Sequence, residues 1–239
     1  MGSYAEQLSA EQYAVALPEL IRASGFSLKS EEVYRLAAEV LNEGGGAIIE
    51  ELELLREHHE GSQEHSLRVF MLALDMGIEL NLSPDELKLL GTAAAAHDFG
   101  KRGVAPEILR KPGKPTPDEY EAIKMHVGET LAVLDRLHEA GVLNGDAVRR
   151  IAGFHHAYKN RGPYTWKTAT GQQEEVPRDD DFEQMRQVLA AVDTFDALAS
   201  AREYEPAMSR EKAERVLFEE LNIDRGLLSK VLLRLPKDR

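Results

Sequence analysis

The 239-residue sequence contains no cysteine, a single tryptophan and no long hydrophobic run. The absence of cysteine excludes disulfides, thiolate metal sites, iron–sulfur clusters and cysteine nucleophiles, and it leaves histidines and carboxylates as the strong metal ligands. No window approaches the roughly 18 to 20 apolar residues of a membrane-spanning helix, and the N-terminus lacks the basic-then-apolar layout of a secretory signal. We therefore expect a cytoplasmic protein with no membrane partner.

Positive charge is also in deficit. The chain has 29 Lys and Arg against 42 Asp and Glu, which gives a net charge of −13. Affinity for nucleic-acid polymers comes mainly from clustered Lys and Arg, so we expect no such polymer as a partner. A small phosphate ligand stays compatible with this charge, because a bound cation reverses the local sign.

Hydrophobic residues recur with the helical period and strand-like alternation is almost absent, which predicts an all-α protein. Capping boxes predict helix starts at Ser83 and Thr116, each followed by Pro and by Glu three residues on. The triple glycine before Ala47 is the best boundary. We predict an N-terminal helical segment at 1–46, serving regulation or packing, and a second domain at 47–239.

Several histidines and aspartates lie on the predicted buried faces of these helices. His97 and Asp98 close the helix that begins at Ser83, and His126 lies on the buried stripe of a helix predicted from Pro117. Burying so many ionisable groups unpaired is prohibitive, whereas a shared divalent cation satisfies them together. The inward-facing set is His65, His97, Asp98, His126, His155, His156 and Asp193.

The size of this set predicts two metal ions, because six or seven ligands exceed what one tetrahedral ion takes. A carboxylate such as Asp98 would bridge them. Iron or manganese is the first choice for a His and Asp set, with nickel or zinc as alternatives. Two cations about 3.5–4 Å apart are the recurring arrangement for hydrolysing phosphate esters, because together they generate hydroxide and stabilise the attacking and leaving oxygens. The residues thus predict a metal-dependent hydrolase without naming its substrate.

Motifs in a fixed order over about residues 60–220 resemble the HD-GYP branch of the HD-domain phosphohydrolases. They are His97-Asp98-Phe99-Gly100-Lys101, Ile108 to Gly113, Glu119, Lys124 to Val127, His155-His156, and Val192 to Leu198 with Arg202 and Tyr204. The resemblance implies an HD-domain helical bundle that binds two or three metals and hydrolyses cyclic di-GMP.

The same resemblance assigns roles to individual residues. The seven inward-facing side chains would be the metal ligands, Asp98 would bridge the metals, and Lys101 would contact the scissile phosphate. Members with three metals have a Glu one helical turn before the first His, where this chain has Gly61. We therefore expect two metals.

The signature loop departs from the family pattern, which reads His-His-Glu, two residues, then Asp-Gly-x-Gly-Tyr-Pro. Here Ala157 replaces the Glu and Asn160 replaces the Asp, while Tyr164 aligns with the Tyr. Arg161 and Tyr164 are the predicted substrate contacts in this loop, although Arg161 also fits a solvated loop residue.

Three hypotheses stay open. The first is a phosphodiesterase for cyclic di-GMP or a related nucleotide, using hydroxide generated at a dinuclear metal site. The second is an HD phosphohydrolase for another nucleotide. The third is a catalytically idle nucleotide sensor or protein-interaction module, which the altered loop favours. A homodimer or a signalling-protein partner is compatible with each.

Two smaller signals also leave alternatives. Asp196 lies on the helix face of Asp193, where it either orients a ligand histidine or Lys101 or forms a packing salt bridge. His58 and His59 are consecutive, so they cannot converge on one ion, and we expect a solvated helix end there.

Overall fold

The computed structural model describes residues 10–42, 46–158, 166–167, 173–174, 181–200 and 208–234. The helices of this part are α1 (Ala10–Ser24), α2 (Glu32–Asn42), α3 (Ala47–His58), α4 (Glu60–Glu79), α5 (Pro84–Ala96), α6 (Pro106–Leu109), α7 (Pro117–Lys124), α8 (His126–Glu139), α9 (Gly145–Ala152), α10 (Glu183–Ala199), α11 (Arg210–Glu220) and α12 (Arg225–Leu232), with a 3₁₀ helix at Phe99–Gly103. The predicted all-α class is confirmed. A hairpin of two-residue strands, β1 (Trp166–Lys167) and β2 (Gln173–Glu174), is the departure from it.

Helix α4 forms the centre of the bundle. It packs against α3, α5 and α10, and α2 lies across it as well. Most of its residues are buried, from Leu67 through Met76 on nearly every face, which is typical of a helix enclosed by others. Helices α5 and α10 thus both stand beside α4, so side chains of the three helices can reach a common site.

The two predicted capping boxes are present. The Ser83 hydroxyl accepts from the backbone N–H of Glu86, and the Glu86 carboxylate accepts from the N–H of Ser83 at 2.8 Å. Thr116 and Glu119 repeat this arrangement. Each cap stabilises its helix start by roughly 1 kcal/mol. The cap at Ser83 therefore fixes where α5 begins, and α5 then ends immediately before His97.

The N-terminal helices share the main core. Tyr13, Leu17 and Val33 are buried in the same cluster as the residues of α4 and α5. The loop between α1 and α2 is held by Asp75 of α4, whose Oδ1 accepts from the backbone N–H groups of Lys29 and Ser30 at 2.8 and 3.0 Å. The division at residue 46 stays a prediction.

Asp75 also binds the C-terminal end of the described chain. Its Oδ2 accepts from Nε and Nη2 of Arg234 at 2.8 and 2.6 Å, and both side chains are fully buried. Arg234 additionally contacts Glu79 at 2.6 Å. This ion pair therefore joins α4 to the residues after α12.

Three helix boundaries differ from prediction. The helix predicted to run from Pro117 past His126 divides at Met125, so that His126 is the first residue of α8. Hydrophobic periodicity predicts a helix from about Asn144 to Ala157, but the helix ends at Ala152 and turns follow it. The sequence predicts a helix from Ile48 to Glu60 that ends at Gly61, but the break lies at His59, whose ring accepts the backbone N–H of Ser62 and caps α4. No helix in the described ranges combines the length and apolarity that crossing a bilayer requires.

Candidate metal centre

Five parts of the bundle converge on one buried site. Helix α4 provides His65, the end of α5 provides His97 and Asp98, and α8 begins with His126. The turn after α9 and the middle of α10 complete the set. The structure thus brings together all seven side chains that the sequence predicts as metal ligands: His65, His97, Asp98, His126, His155, His156 and Asp193.

The ligand atoms form two groups of three. His65, His97 and Asp98 offer ligand atoms that all lie within 4.8 Å of one another, and so do His126, His155 and His156. We call these the His65 cluster and the His126 cluster. Three protein ligands suit a catalytic metal position, which keeps at least one coordination place open.

Both aspartates lie between the clusters. Oδ2 of Asp98 is 3.4 Å from Nε2 of His97, whereas its Oδ1 is 3.4 Å from Nε2 of His126. Oδ1 of Asp193 is 3.1 Å from Nε2 of His65, whereas its Oδ2 is 3.9 Å from Nδ1 of His156. Each carboxylate therefore presents one oxygen to each cluster, which is the geometry of a bridging ligand.

Three of the histidines are oriented by the ends of helices. Each donates its Nδ1–H to the backbone carbonyl three residues earlier, at 2.5 to 2.8 Å: His97 to Ala94, His126 to Ile123 and His155 to Ala152. These carbonyls belong to the last turns of α5, α7 and α9, where the helix itself leaves carbonyls without a partner. The bond fixes the tautomer, so Nε2 presents its lone pair to the site.

Two of the buried imidazoles are kept neutral, which is the form that binds metals. Burial lowers the pKa of His126 to about 4 and that of His155 to about 3. In His97 burial acts in the same direction, but the carboxylate of Asp98 outweighs it and raises the pKa.

His65 is oriented by a carboxylate. Its Nδ1 lies 2.7 Å from Oδ2 of Asp196, and Asp196 also accepts from Nε of Arg68 at 2.7 Å. Burial acts to raise the pKa of Asp196, but the bonds to His65 and Arg68 lower it to about 2, so the carboxylate stays charged. Both roles considered for Asp196 are therefore present, since it orients a histidine and forms a salt bridge.

Lys101 lies at the edge of the site in the 3₁₀ helix. Its ammonium donates to Oδ2 of Asp98 at 2.5 Å and is about one-fifth exposed. Burial acts to raise the pKa of Asp98, but Lys101 and His97 hold it well below its usual range. Asp193 behaves in the same way through its hydrogen bond to His65. Two charged carboxylates are thus enclosed in one buried site.

These residues fit divalent cations. Within the described residues, the buried Nε2 of His97 has no hydrogen-bond partner, although it faces the two carboxylates. Neutral imidazoles and paired carboxylates without thiolates are the donor set of iron, manganese, nickel and zinc sites. A cation would satisfy the lone pair of His97 and the buried negative charge together.

The predicted substrate contacts are described only in part. Arg161 and Tyr164 lie outside the described residues, and of the segment around them only the backbone pairing of β1 with β2 is described. Ala157, which stands where the family pattern has Glu, is half-buried and packs against the hydrophobic core.

Sequence reasoning missed several supporting residues. Arg68 lies one helical turn after His65. A search of that turn for a cation to pair with Asp196 would have found it. Arg186 is fully buried, donates to the carbonyl of Arg150 at 2.7 Å and lies over the ring of Phe154, beside the histidine pair. His58 is half-buried with its Nε2 2.8 Å from the carbonyl of Val104, so the solvated helix end expected there is wrong for this side chain.

Comparison with known proteins gives one family and several relatives. The HD domain family model matches residues 62–198, which include the seven converging side chains. A "Cyclic di-GMP phosphodiesterase" of Vibrio cholerae is 34% identical over 141 residues, covering 58% of this chain and 27% of the relative. A "3'3'-cGAMP-specific phosphodiesterase 3" of the same organism is 32% identical over 158 residues, covering 66% and 31%.

A second bacterium provides a similar match. A "Cyclic di-GMP phosphodiesterase" of Thermotoga maritima is 29% identical over 169 residues, covering 70% of this chain and 43% of the relative. The chain thus spans less than half the length of each of these three relatives.

Proposed function

This chain belongs to the HD domain family, whose model covers more than half of its length, and we propose that it is a metal-dependent phosphodiesterase that hydrolyses cyclic di-GMP or a related cyclic dinucleotide. The observation that carries this proposal is the position of Asp98, which presents one oxygen to each of two histidine clusters. A pair of cations held in this way is the recurring arrangement for phosphate ester hydrolysis.

The proposed centre contains two divalent cations. His65, His97 and Asp193 would hold one and the His126 cluster the other, with Asp98 shared between them. Bound there, such cations supply Lewis acidity and lower the pKa of a coordinated water. Iron or manganese is the first choice and nickel or zinc the alternative, since this donor set accepts each of them.

Lys101 is the proposed contact to the scissile phosphate. Its partly exposed ammonium lies 2.5 Å from Oδ2 of the buried Asp98. A fixed positive charge beside the place where phosphoryl charge develops stabilises the transition state. Arg161 and Tyr164 are the further substrate contacts that we propose from the sequence.

The names of the relatives support a cyclic dinucleotide as the substrate. Some act on cyclic di-GMP and others on 3'3'-cGAMP by name, and both compounds are closed by two phosphodiester bonds. A cytoplasmic location and a homodimer or signalling partner remain predictions.

The proposal is tested with metal-free protein reloaded with manganese or iron. We expect about two ions per chain by elemental analysis and conversion of one of the two dinucleotides to its linear product. Asp98→Asn should abolish turnover, whereas Asp135→Asn, at an exposed aspartate paired with Arg149, should keep it. Loaded protein that converts neither compound, or full turnover in Asp98→Asn, would overturn the proposal.

A nucleotide sensor without catalysis is the second candidate, and Ala157 favours it. The methyl group of Ala157 can bind neither a metal nor a phosphate, at the position where the family pattern has Glu. Calorimetry separates the two candidates, because a sensor binds a cyclic dinucleotide with micromolar or better affinity and releases no product. Any measurable product excludes the sensor.

A further inference from the structure

The hydroxyl of Thr130 joins the two ends of the turn that holds Asp98. Thr130 lies in α8 and is 1% exposed. Its Oγ1 donates to the backbone carbonyl of His97 at 3.0 Å and accepts the backbone N–H of Gly100 at 2.9 Å. Asp98 lies between these two anchored residues.

The same turn is in direct backbone contact with the start of α8. A Cβ added at Gly100 would lie 2.0 Å from the carbonyl oxygen of His126 and 2.5 Å from the backbone nitrogen of Thr130. A side chain at this position would therefore force the turn away from α8. The glycine makes the close contact feasible, and the Thr130 hydroxyl holds it in place.

We propose that Thr130 is a positioning residue that sets the bridging carboxylate of Asp98 against His126. This inference deepens the proposed function, since it rests on a two-metal centre. A hydroxyl is both donor and acceptor, and that is what the His97 carbonyl and the Gly100 N–H require together. Serine retains this pair of bonds, whereas valine keeps the shape of threonine and loses both.

Loss of the hydroxyl acts unequally on the two metal positions. His97 and Asp98 are adjacent on the turn, so they move together when the turn shifts, and the His65 cluster keeps both of them. The distance that changes is the one between Oδ1 of Asp98 and Nε2 of His126, which is 3.4 Å. The His126 cluster thus loses the carboxylate oxygen of Asp98 and keeps only the more distant one of Asp193, so the second cation is the one weakened.

The experiment is a titration of metal-free protein with Mn²⁺, followed by calorimetry and by electron paramagnetic resonance. Wild-type protein should bind two ions and develop the signal of a magnetically coupled pair, because a shared carboxylate transmits the coupling. In Thr130→Val the second binding step should weaken roughly 10- to 100-fold, as is typical for residues that support metal ligands, and the coupled signal should disappear. Thr130→Ser should restore both.

Thr194→Val is the matched control. Thr194 is also buried in the bundle, and within the described part of the chain its Oγ1 makes no hydrogen bond. Its loss should leave both Mn²⁺ steps unchanged. Circular dichroism checks folding, and Thr130→Ala replaces the valine variant if valine does not fold.

Three outcomes would overturn the inference. They are an unchanged second Mn²⁺ step in Thr130→Val, a serine variant that binds no better than the alanine or valine variant, and a Thr194→Val variant with the same defect. Failure of the proposed function looks different, because wild-type protein would then bind a coupled Mn²⁺ pair and hydrolyse no cyclic dinucleotide.

Discussion

Asp196 and His65 are 131 residues apart in sequence, yet their side chains meet at 2.7 Å and the bond aims Nε2 of His65 at the metal centre. A carboxylate behind a metal-binding histidine fixes the orientation of the ring and raises its basicity. The other oriented histidines rely on neutral backbone carbonyls instead. The charged acceptor behind His65 therefore sets it apart from these three histidines.

Asp196→Asn should weaken metal binding at the His65 cluster by roughly 10- to 100-fold, because the ring loses its charged acceptor. Competition with a chromophoric chelator measures this affinity. Ser200→Ala is the control, since Ser200 bonds the other oxygen of Asp196 at 2.9 Å without touching His65. Equal affinities in the asparagine variant and wild-type protein would show that Asp196 only supports the packing of Arg68.

Lys101→Gln should lower kcat by roughly 10²- to 10³-fold while about two metal ions stay bound, because the ammonium acts on developing phosphoryl charge. Steady-state kinetics and elemental analysis on the same sample give both quantities. Arg102→Gln serves as the comparison, since its guanidinium pairs with Glu51 on α3. A loss of metal in proportion to the loss of rate would assign Lys101 to the metal site instead.

Arg234→Met should lower the free energy of unfolding by about 3–5 kcal/mol, because it leaves the buried carboxylate of Asp75 without its counter-charge. Urea unfolding followed by circular dichroism measures this loss. Arg22→Met removes an exposed ion pair with Glu19 and should cost less than about 0.5 kcal/mol. Similar costs in the two variants would mean that Asp75 finds water or another partner.

Because of Glu79, we expect part of the free energy of unfolding to depend on acidic pH. Burial acts to raise its pKa, but hydrogen bonds from Arg234 and Lys29 outweigh burial and lower it. A carboxyl whose folded pKa is depressed stabilises the protein above its unfolded value near 4.5, and this contribution is lost as the pH falls through the folded pKa.

The corresponding measurement is urea unfolding of wild-type protein and Glu79→Gln at pH 5.5 and pH 3. The wild type should be the more stable at pH 5.5, and the difference in the free energy of unfolding between the two proteins should narrow at pH 3. A difference in the free energy of unfolding that does not depend on pH would show that Glu79 does not contribute to the loss of stability in acid.

The sequence predicts this site well wherever local signals fix the helical frame. The capping box at Ser83 determines the start of α5, and counting turns from it places His97 at the buried end. The prediction that these side chains share a cation needed no tertiary information, because several buried imidazoles without partners are already unfavourable.

The rest depends on tertiary contacts. The apolar stripe continues across Met125, so periodicity gives no sign that α7 and α8 are separate helices. In the structure the ring of His126 binds the carbonyl of Ile123 at this break. Likewise, nothing near Thr130 in sequence reveals that its hydroxyl serves a turn thirty residues earlier. Such contacts arise only when distant helices pack.

The helix-end carbonyls that hold His97, His126 and His155 have one more consequence. These bonds do not involve the metal-binding nitrogens, so they preorganise the rings for metal binding. Binding then requires ions to shed water, with little rearrangement of side chains. Metal uptake should therefore be limited by the entry route and by cellular metal supply, and a protein stripped of its ions should retain its fold.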